Sequence, residues 1–274
     1  MERDFADRPP NLQAFWAADR PRVIAHRGFS GVAPENTLAA VSRALDLGVD
    51  MVEIDVTSSV DGHVIVLHDE TLDRTTSGSG PALETPLEAL RSLDAGSWFA
   101  PEFAGERIPL LAEVLDLVAG KTLLNVEIKG EAVAPGANPA APGEGGGIAR
   151  RIAELVRERG LEDQTLISSF HPAALAHSRA AAPEIARAVL FSPEFYGGKT
   201  PTGAALESAA ACFNVSARNL DQAMLENAAS GGLPVAVYTV NDADRMRELR
   251  DLGVAAIFTD RPDRMLEVLA SRAV

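Results

Sequence analysis

Nine apolar runs rich in β-branched residues recur along this chain: "RVIAH", "MVEIDV", "HVIVLH", "TLLNVEIK", "TLISSF", "IARAVLF", "CFNVS", "LPVAVYTV" and "VAAIFTD". Most are separated by Ala-, Leu-, Glu- and Arg-rich stretches of helical period, such as "PENTLAAVSRALDLG", "AEVLDLVAG", "GIARRIAELVRERG", "PAALAHSRAAA" and "DADRMRELRDLG". That alternation predicts βα units and a parallel sheet. One link is too short. Between "MVEIDV" and "HVIVLH" the chain has only a few residues around Asp61-Gly62, whereas a parallel crossover needs a dozen or more. Asp-Gly is a strong hairpin signal, so "HVIVLH" is expected to run antiparallel to its predecessor. Setting it aside leaves eight parallel strands, the number that closes a (β/α)8 TIM barrel. A chain of 274 residues suits that fold, which commonly needs about 250.

A barrel of this kind carries its chemistry at the C-terminal ends of its strands, and this chain places polar residues there. His26 and Arg27 close the first strand; Glu53 and Asp55 lie two apart on the second; Glu127 and Lys129 lie two apart in "LLNVEIKG". Residues two apart on a strand project from the same face. If Asp61 and Gly62 are the two central residues of a tight turn, Val60 pairs with His63 and His68 lies opposite Asp55. Their Cβ atoms would then be about 4.5–5.5 Å apart.

Two stretches exceed what a minimal barrel needs. Residues 71–108 are expected to form a small insertion over the mouth, after the second-strand hairpin. Residues 130–147, "GEAVAPGANPAAPGEGGG", form a Pro/Gly/Ala-rich loop expected to be mobile. Residues 1–20 read as an N-terminal extension and 21–274 as a single domain.

The net charge of −14, from 39 acidic and 25 basic side chains, opposes binding to nucleic acid and stable association with an anionic membrane. Any anionic ligand therefore needs local positive charge. No run reaches the ~20 consecutive apolar residues of a membrane span, and the N-terminus has acids and prolines where a secretion signal would have a basic end and an apolar core. The lone Cys212 excludes an internal disulfide and reads as a buried thiol. A reducing cytoplasm is the simplest compartment.

The rim set thus comprises Glu53, Asp55 and Glu127, with His26, His68, Arg27 and Lys129. Hard oxygen ligands without a cysteine cluster favour Mg2+ or Ca2+ over zinc. Arg27 offers a planar fork and Lys129 a point charge for phosphate oxygens, and two histidines can divide a pair of proton transfers. A small phosphorylated molecule is the expected partner. Phe170 and Tyr238, at strand ends, suit either a pocket wall or the core. Glu35 reads as an acid in the first turn of a helix opened by Pro34. Asp69, Asp73 and Arg74 read as staples of the insertion, and His63, His171 and His177 as surface or packing residues.

In order, "AHRGFSGVAPENTLAA", "VEIDVTSSVDGHVIVLHDETLDRTT", "VEIKG", "ISSF", "VYTVND" and "FTDRP" resemble the motifs of the glycerophosphodiester phosphodiesterases across residues 22–262. Tyr238 departs from that pattern, standing where many members carry tryptophan. The resemblance implies a barrel enzyme that uses a divalent metal to hydrolyse glycerophosphodiesters to sn-glycerol 3-phosphate and an alcohol. It implies His26 and His68 as acid and base, Glu53, Asp55 and Glu127 as metal ligands, and Arg27 and Lys129 as phosphate binders. A lysophospholipase D-type enzyme with longer lipid substrates is the close alternative. A non-catalytic phosphopolyol sensor would not need both histidines, and a metal-dependent amidohydrolase is disfavoured by the lack of any His-x-His.

Overall fold

The computed structural model describes residues 11–133 and 146–271. Residues 134–145, the greater part of the Pro/Gly/Ala-rich loop, lie outside them, as do residues 1–10 of the expected extension. Among the described residues there are nine strands, β1 (Arg22–Ala25), β2 (Met51–Ser58), β3 (Val64–Val66), β4 (Leu123–Ile128), β5 (Thr165–Ser169), β6 (Ala186–Leu190), β7 (Cys212–Ser216), β8 (Val235–Tyr238) and β9 (Ala256–Thr259). Eight pair in parallel in the order β1-β9-β8-β7-β6-β5-β4-β2, and a β1–β2 pairing closes the barrel. β3 alone is antiparallel, against β2. The fold is therefore the expected TIM barrel with one extra strand.

Alternation along β2 decides what the barrel interior holds. Val52, Ile54 and Val56 belong to the large core between barrel and helices. Met51 belongs to a second core inside the barrel. Glu53 and Asp55 share the parity of Met51 and so face inward, where each is at most 2% exposed. The surrounding helices run Leu38–Leu47, Leu111–Val118, Gly147–Arg157, Pro172–Ala181, Pro201–Ser208, Gln222–Ser230, Ala243–Asp251 and Pro262–Ala270. The first is bounded by local chemistry. Thr37 Oγ1 accepts from Ala40 N, and Gly48 ends the helix with a left-handed φ of 74°.

The hairpin register differs from the expected one. Val56 faces Val66, Thr57 faces Ile65 and Ser58 faces Val64. Ser59 N donates to His63 O at 2.9 Å and Gly62 N to Ser59 O at 3.0 Å, so the loop is Val60-Asp61-Gly62. Gly62, at φ 86°, is the one loop residue in the left-handed region, as in a turn closed by a glycine bulge. The pairing slips by one position. Leu67 N donates to Asp55 O at 3.0 Å, so Leu67, not His68, lies opposite Asp55.

The chain from β3 to the next barrel helix builds a core of its own from Ile65, Leu67, Leu72, Ala82, Leu90, Ala95 and Ile108. Its turns are held by polar groups. The Asp94 carboxylate accepts from the backbone N–H groups of Gly96, Ser97 and Gly105. At the opposite end of the barrel, Leu12 and Phe15 of the short helix Leu12–Trp16 join the interior core.

Candidate active site

The C-terminal ends of β1, β2, β4 and β8, with the loop after β3, converge on a pocket of about 160 Å3. His26, Arg27, Glu53, His68 and Glu127 form its polar side, and Phe170, Leu190, Tyr238 and Phe258 its apolar side. Phe170 and Tyr238 are thus wall residues. Their rings meet edge to face with centroids 5.9 Å apart, and the Tyr238 hydroxyl donates to Phe191 O at 3.0 Å.

Glu53, Asp55 and Glu127 each offer a carboxylate oxygen within 4.8 Å of the other two. Two cations reach this group. Lys129 Nζ donates to Glu127 Oε1 at 3.0 Å and to Asp55 Oδ1 at 3.4 Å. Arg27 Nε lies 3.2 Å from Asp55 Oδ2. Arg27 is shared, however, because its Nη1 also donates to Glu35 Oε1 at 2.7 Å. Glu53 accepts the Arg27 backbone N–H on Oε2 at 2.9 Å, while its buried Oε1 has no hydrogen-bond partner. A buried acceptor left unpaired is costly, and three carboxylates facing a cation deficit repel one another.

The protonation equilibria follow from this arrangement. Burial, and then the Asp55 charge, push the Glu53 and Glu127 carboxyl groups above the usual carboxylate range. Burial pushes Asp55 the same way, but Lys129, Arg27 and His68 outweigh it and hold the group ionised. Asn36 adds to this, donating from Nδ2 to Asp55 Oδ2 at 2.9 Å and accepting the Asp55 N–H at 3.1 Å. Burial also works against a charged Lys129, yet Glu127 and Asp55 overcome it and keep the ammonium. Hard oxygen donors, a charge deficit and an orphaned buried oxygen are what a divalent cation would complete.

Each of the two pocket histidines has a carboxylate on its Nδ1. His26 Nδ1 lies 2.7 Å from Asp260 Oδ1, and His68 Nδ1 lies 2.5 Å from Asp69 Oδ1. With Nδ1 engaged, Nε2 is the ring nitrogen left for a ligand in the pocket. The two environments differ in sign. Burial disfavours charge on His26, but the Asp260 hydrogen bond and the Glu53 charge win and raise its pKa. Burial dominates at His68 and lowers its pKa, despite Asp55.

Asp260 is itself held by Asn241 Nδ2 at 2.6 Å and Ser30 Oγ at 3.1 Å. Neither Asp260 nor Asn241 was singled out from the sequence, although both sit in the late "VND" and "TDRP" stretches. Glu35 differs from its expected place. The helix begins at Leu38 behind the Thr37 cap, and the Glu35 carboxylate instead joins Arg27 to Arg74. His171 and His177 stay outside the pocket; the His171 ring packs at a tilt against Phe195 with centroids 5.0 Å apart.

No helix among the described residues is long and apolar enough to cross a membrane. A glycerophosphodiester phosphodiesterase of Caldanaerobacter subterraneus subsp. tengcongensis is 36% identical over 249 residues, covering 90% of this chain and 97% of that protein. The crystal structure of the Agrobacterium tumefaciens glycerophosphodiester phosphodiesterase superposes with a TM-score of 0.76 at 30% identity, covering 90% of this chain and 99% of its own. An Oleispira antarctica phosphodiesterase, solved in complex with the product sn-glycerol-3-phosphate, matches with a TM-score of 0.81 at 33% identity over 92% of this chain and 98% of its own. The model of the glycerophosphoryl diester phosphodiesterase family matches residues 26–264, taking in every residue gathered at this mouth, and the chain belongs to that family.

Proposed function

We propose that this protein hydrolyses glycerophosphodiesters to sn-glycerol 3-phosphate and an alcohol. The observation that carries the reading is one pocket lined by His26 and His68, each paired through Nδ1 with an aspartate, beside a cluster of three carboxylates in which Glu53 Oε1 has no partner. Family membership and the product bound to the Oleispira relative support it. Glu53, Asp55 and Glu127 would hold a divalent cation, Mg2+ or Ca2+. Such an ion supplies Lewis-acid stabilisation of charge on a phosphoryl oxygen.

The chain's own groups account for the rest. Arg27 and Lys129 present positive charge to the remaining phosphate oxygens. His68, its pKa lowered by burial, is neutral at neutral pH and suited to take a proton on Nε2 from the attacking oxygen. His26, raised mainly by Asp260 against the effect of burial, is suited to give one from Nε2 to the departing alcohol. Each transfer typically contributes about 10²–10⁴-fold. Phe170 and Tyr238 bound the substrate's carbon skeleton and exclude water. The single buried Cys212 fits a reducing compartment, and we assign the cytoplasm.

Chelation is expected to stop release of sn-glycerol 3-phosphate, and Mg2+ or Ca2+ to restore it. Full turnover by demetallated protein overturns the cation assignment. His26→Ala and His68→Ala are each expected to lower kcat by about 10²-fold or more, with fold and cation affinity retained. His171→Ala is the matched control and stays active.

A further inference from the structure

We propose that Arg74 is a positioning residue that sets His68 and Arg27 at once, coupling the seating of the mouth insertion to assembly of the site. The inference rests on the roles given above to His68 and Arg27. Its basis is the way one guanidinium is used. Arg74 Nε donates to Asp69 Oδ2 at 2.6 Å and Nη2 to Asp69 Oδ1 at 3.0 Å. Nη1 donates to Glu35 Oε2 and Nη2 to Glu35 Oε1, both at 2.8 Å. Two edges of the same planar group thus each grip a carboxylate with two bonds.

Each gripped carboxylate also holds a residue that lines the pocket. Asp69 Oδ1 is the atom 2.5 Å from His68 Nδ1, so the Arg74–Asp69 fork fixes the plane against which the imidazole is set. Glu35 Oε1 also accepts from Arg27 Nη1 at 2.7 Å, and Arg27 Nε lies 3.2 Å from Asp55 Oδ2. Arg74 follows β3 in the chain, whereas Glu35 follows β1, which pairs with β2, so the guanidinium ties the insertion to the neighbouring β1 loop. Arg74 itself is 44% exposed, but Glu35 is 14% and Asp69 26% exposed. Exposed single ion pairs contribute little, whereas bidentate, networked geometry is the exception. Without Arg74, Asp69 and Glu35 face each other as like charges, and each is free to rotate away from its pocket partner.

A lysine cannot replace this group, because a point charge holds neither fork. Arg74→Lys and Arg74→Ala are both expected to lower kcat by about tenfold or more, the scale of loss that small misplacements of reacting groups produce. Added guanidinium ion, which the exposure of Arg74 admits, is expected to restore part of the Arg74→Ala loss, and ammonium at equal ionic strength to restore none. Removal of both anchors in Asp69→Asn/Glu35→Gln/Arg74→Ala is expected to abolish the rescue. Arg159→Ala, which breaks the Asp116 pair on the outer surface, is the control and is insensitive to guanidinium. In parallel, 15N spectra of the histidine rings report the His68 Nδ1–H bond without turnover; the Arg74→Ala resonance is expected to shift and to return with guanidinium.

Wild-type kcat and an unmoved His68 resonance in folded Arg74→Ala overturn the proposal while leaving the phosphodiesterase reading intact. Rescue by ammonium as well as guanidinium overturns it too, since charge alone would then suffice. If the wild-type protein releases no sn-glycerol 3-phosphate, the functional reading fails, and the ring spectra still decide whether Arg74 positions His68.

Discussion

Glu53 is a buried and Glu127 a largely buried carboxyl group beside the ionised Asp55, and their equilibria make the cation question measurable without substrate. Burial and the Asp55 charge raise both groups. A carboxyl raised on folding contributes its stability below the usual carboxylate range, and that contribution is lost as pH climbs through the raised value. A bound divalent ion favours the ionised forms and stabilises the native state by linkage. The increase in Tm given by Mg2+ or Ca2+ is therefore expected to grow between about pH 5 and about pH 8, and Glu53→Gln to flatten that growth. Melting curves with and without the ion at a series of pH values test this; an increment that shrinks with rising pH overturns it. The acidic cluster was legible in the sequence because period-two spacing on a strand fixes a shared face. The His26–Asp260 pair was not, since its members are 234 positions apart and nothing local to either marks the other.

At the scale of elements, the hairpin shows what a turn signal does and does not specify. Asp61-Gly62 between two apolar runs established an antiparallel return, and β3 is antiparallel to β2. Register depends on how many residues the loop holds, and Asp-Gly is compatible with both a two-residue turn and a longer loop closed by glycine. Gly62 alone in the loop has a left-handed φ, 86°, which selected the longer form and shifted the pairing by one. His68 still reaches the pocket, because it lies beyond the end of β3 at Val66, where strand parity no longer dictates direction. Gly62→Ala places a Cβ in the left-handed region and is expected to cost about 1–2 kcal/mol. Urea denaturation checks this, and an unchanged midpoint would show that the loop relaxes at no cost. The same limit applied to Glu35. Its place beside Pro34 suggested a helix terminus, whereas its role is set by Arg74, 39 residues away.

Over the whole molecule, the barrel divides its interior by depth, with charged groups at the mouth and an apolar plug at the other end. Ile24, Met51, Leu123, Leu166, Ala188, Cys212, Ala236, Ala256 and Phe258 fill the inside, and Leu12 and Phe15 close it from below. The alternation of strand and helix patterns made the eightfold barrel legible, because it predicts a parallel sheet and eight such strands are the number that closes one. The contribution of Leu12 and Phe15 was hidden, since five helical residues (Leu12–Trp16) carry no periodicity of their own. Their anchoring is tertiary. Arg22 Nε donates to Phe15 O at 3.0 Å, Arg22 Nη2 to Ala14 O at 3.1 Å, and Arg22 Nη1 to Asp50 Oδ1 at 3.1 Å. Phe15 is 4% exposed and its ring meets Trp16 edge to face at 4.5 Å. Phe15→Ala is expected to cost about 3–5 kcal/mol and to lower Tm by about 10 °C. Turnover per folded molecule at 25 °C is expected to persist, because the groups proposed for catalysis lie at the opposite end of the strands. Calorimetry and kcat measured on the same preparation separate the two effects. A large fall in kcat with little change in Tm would mean that the plug and the mouth are mechanically coupled through the barrel.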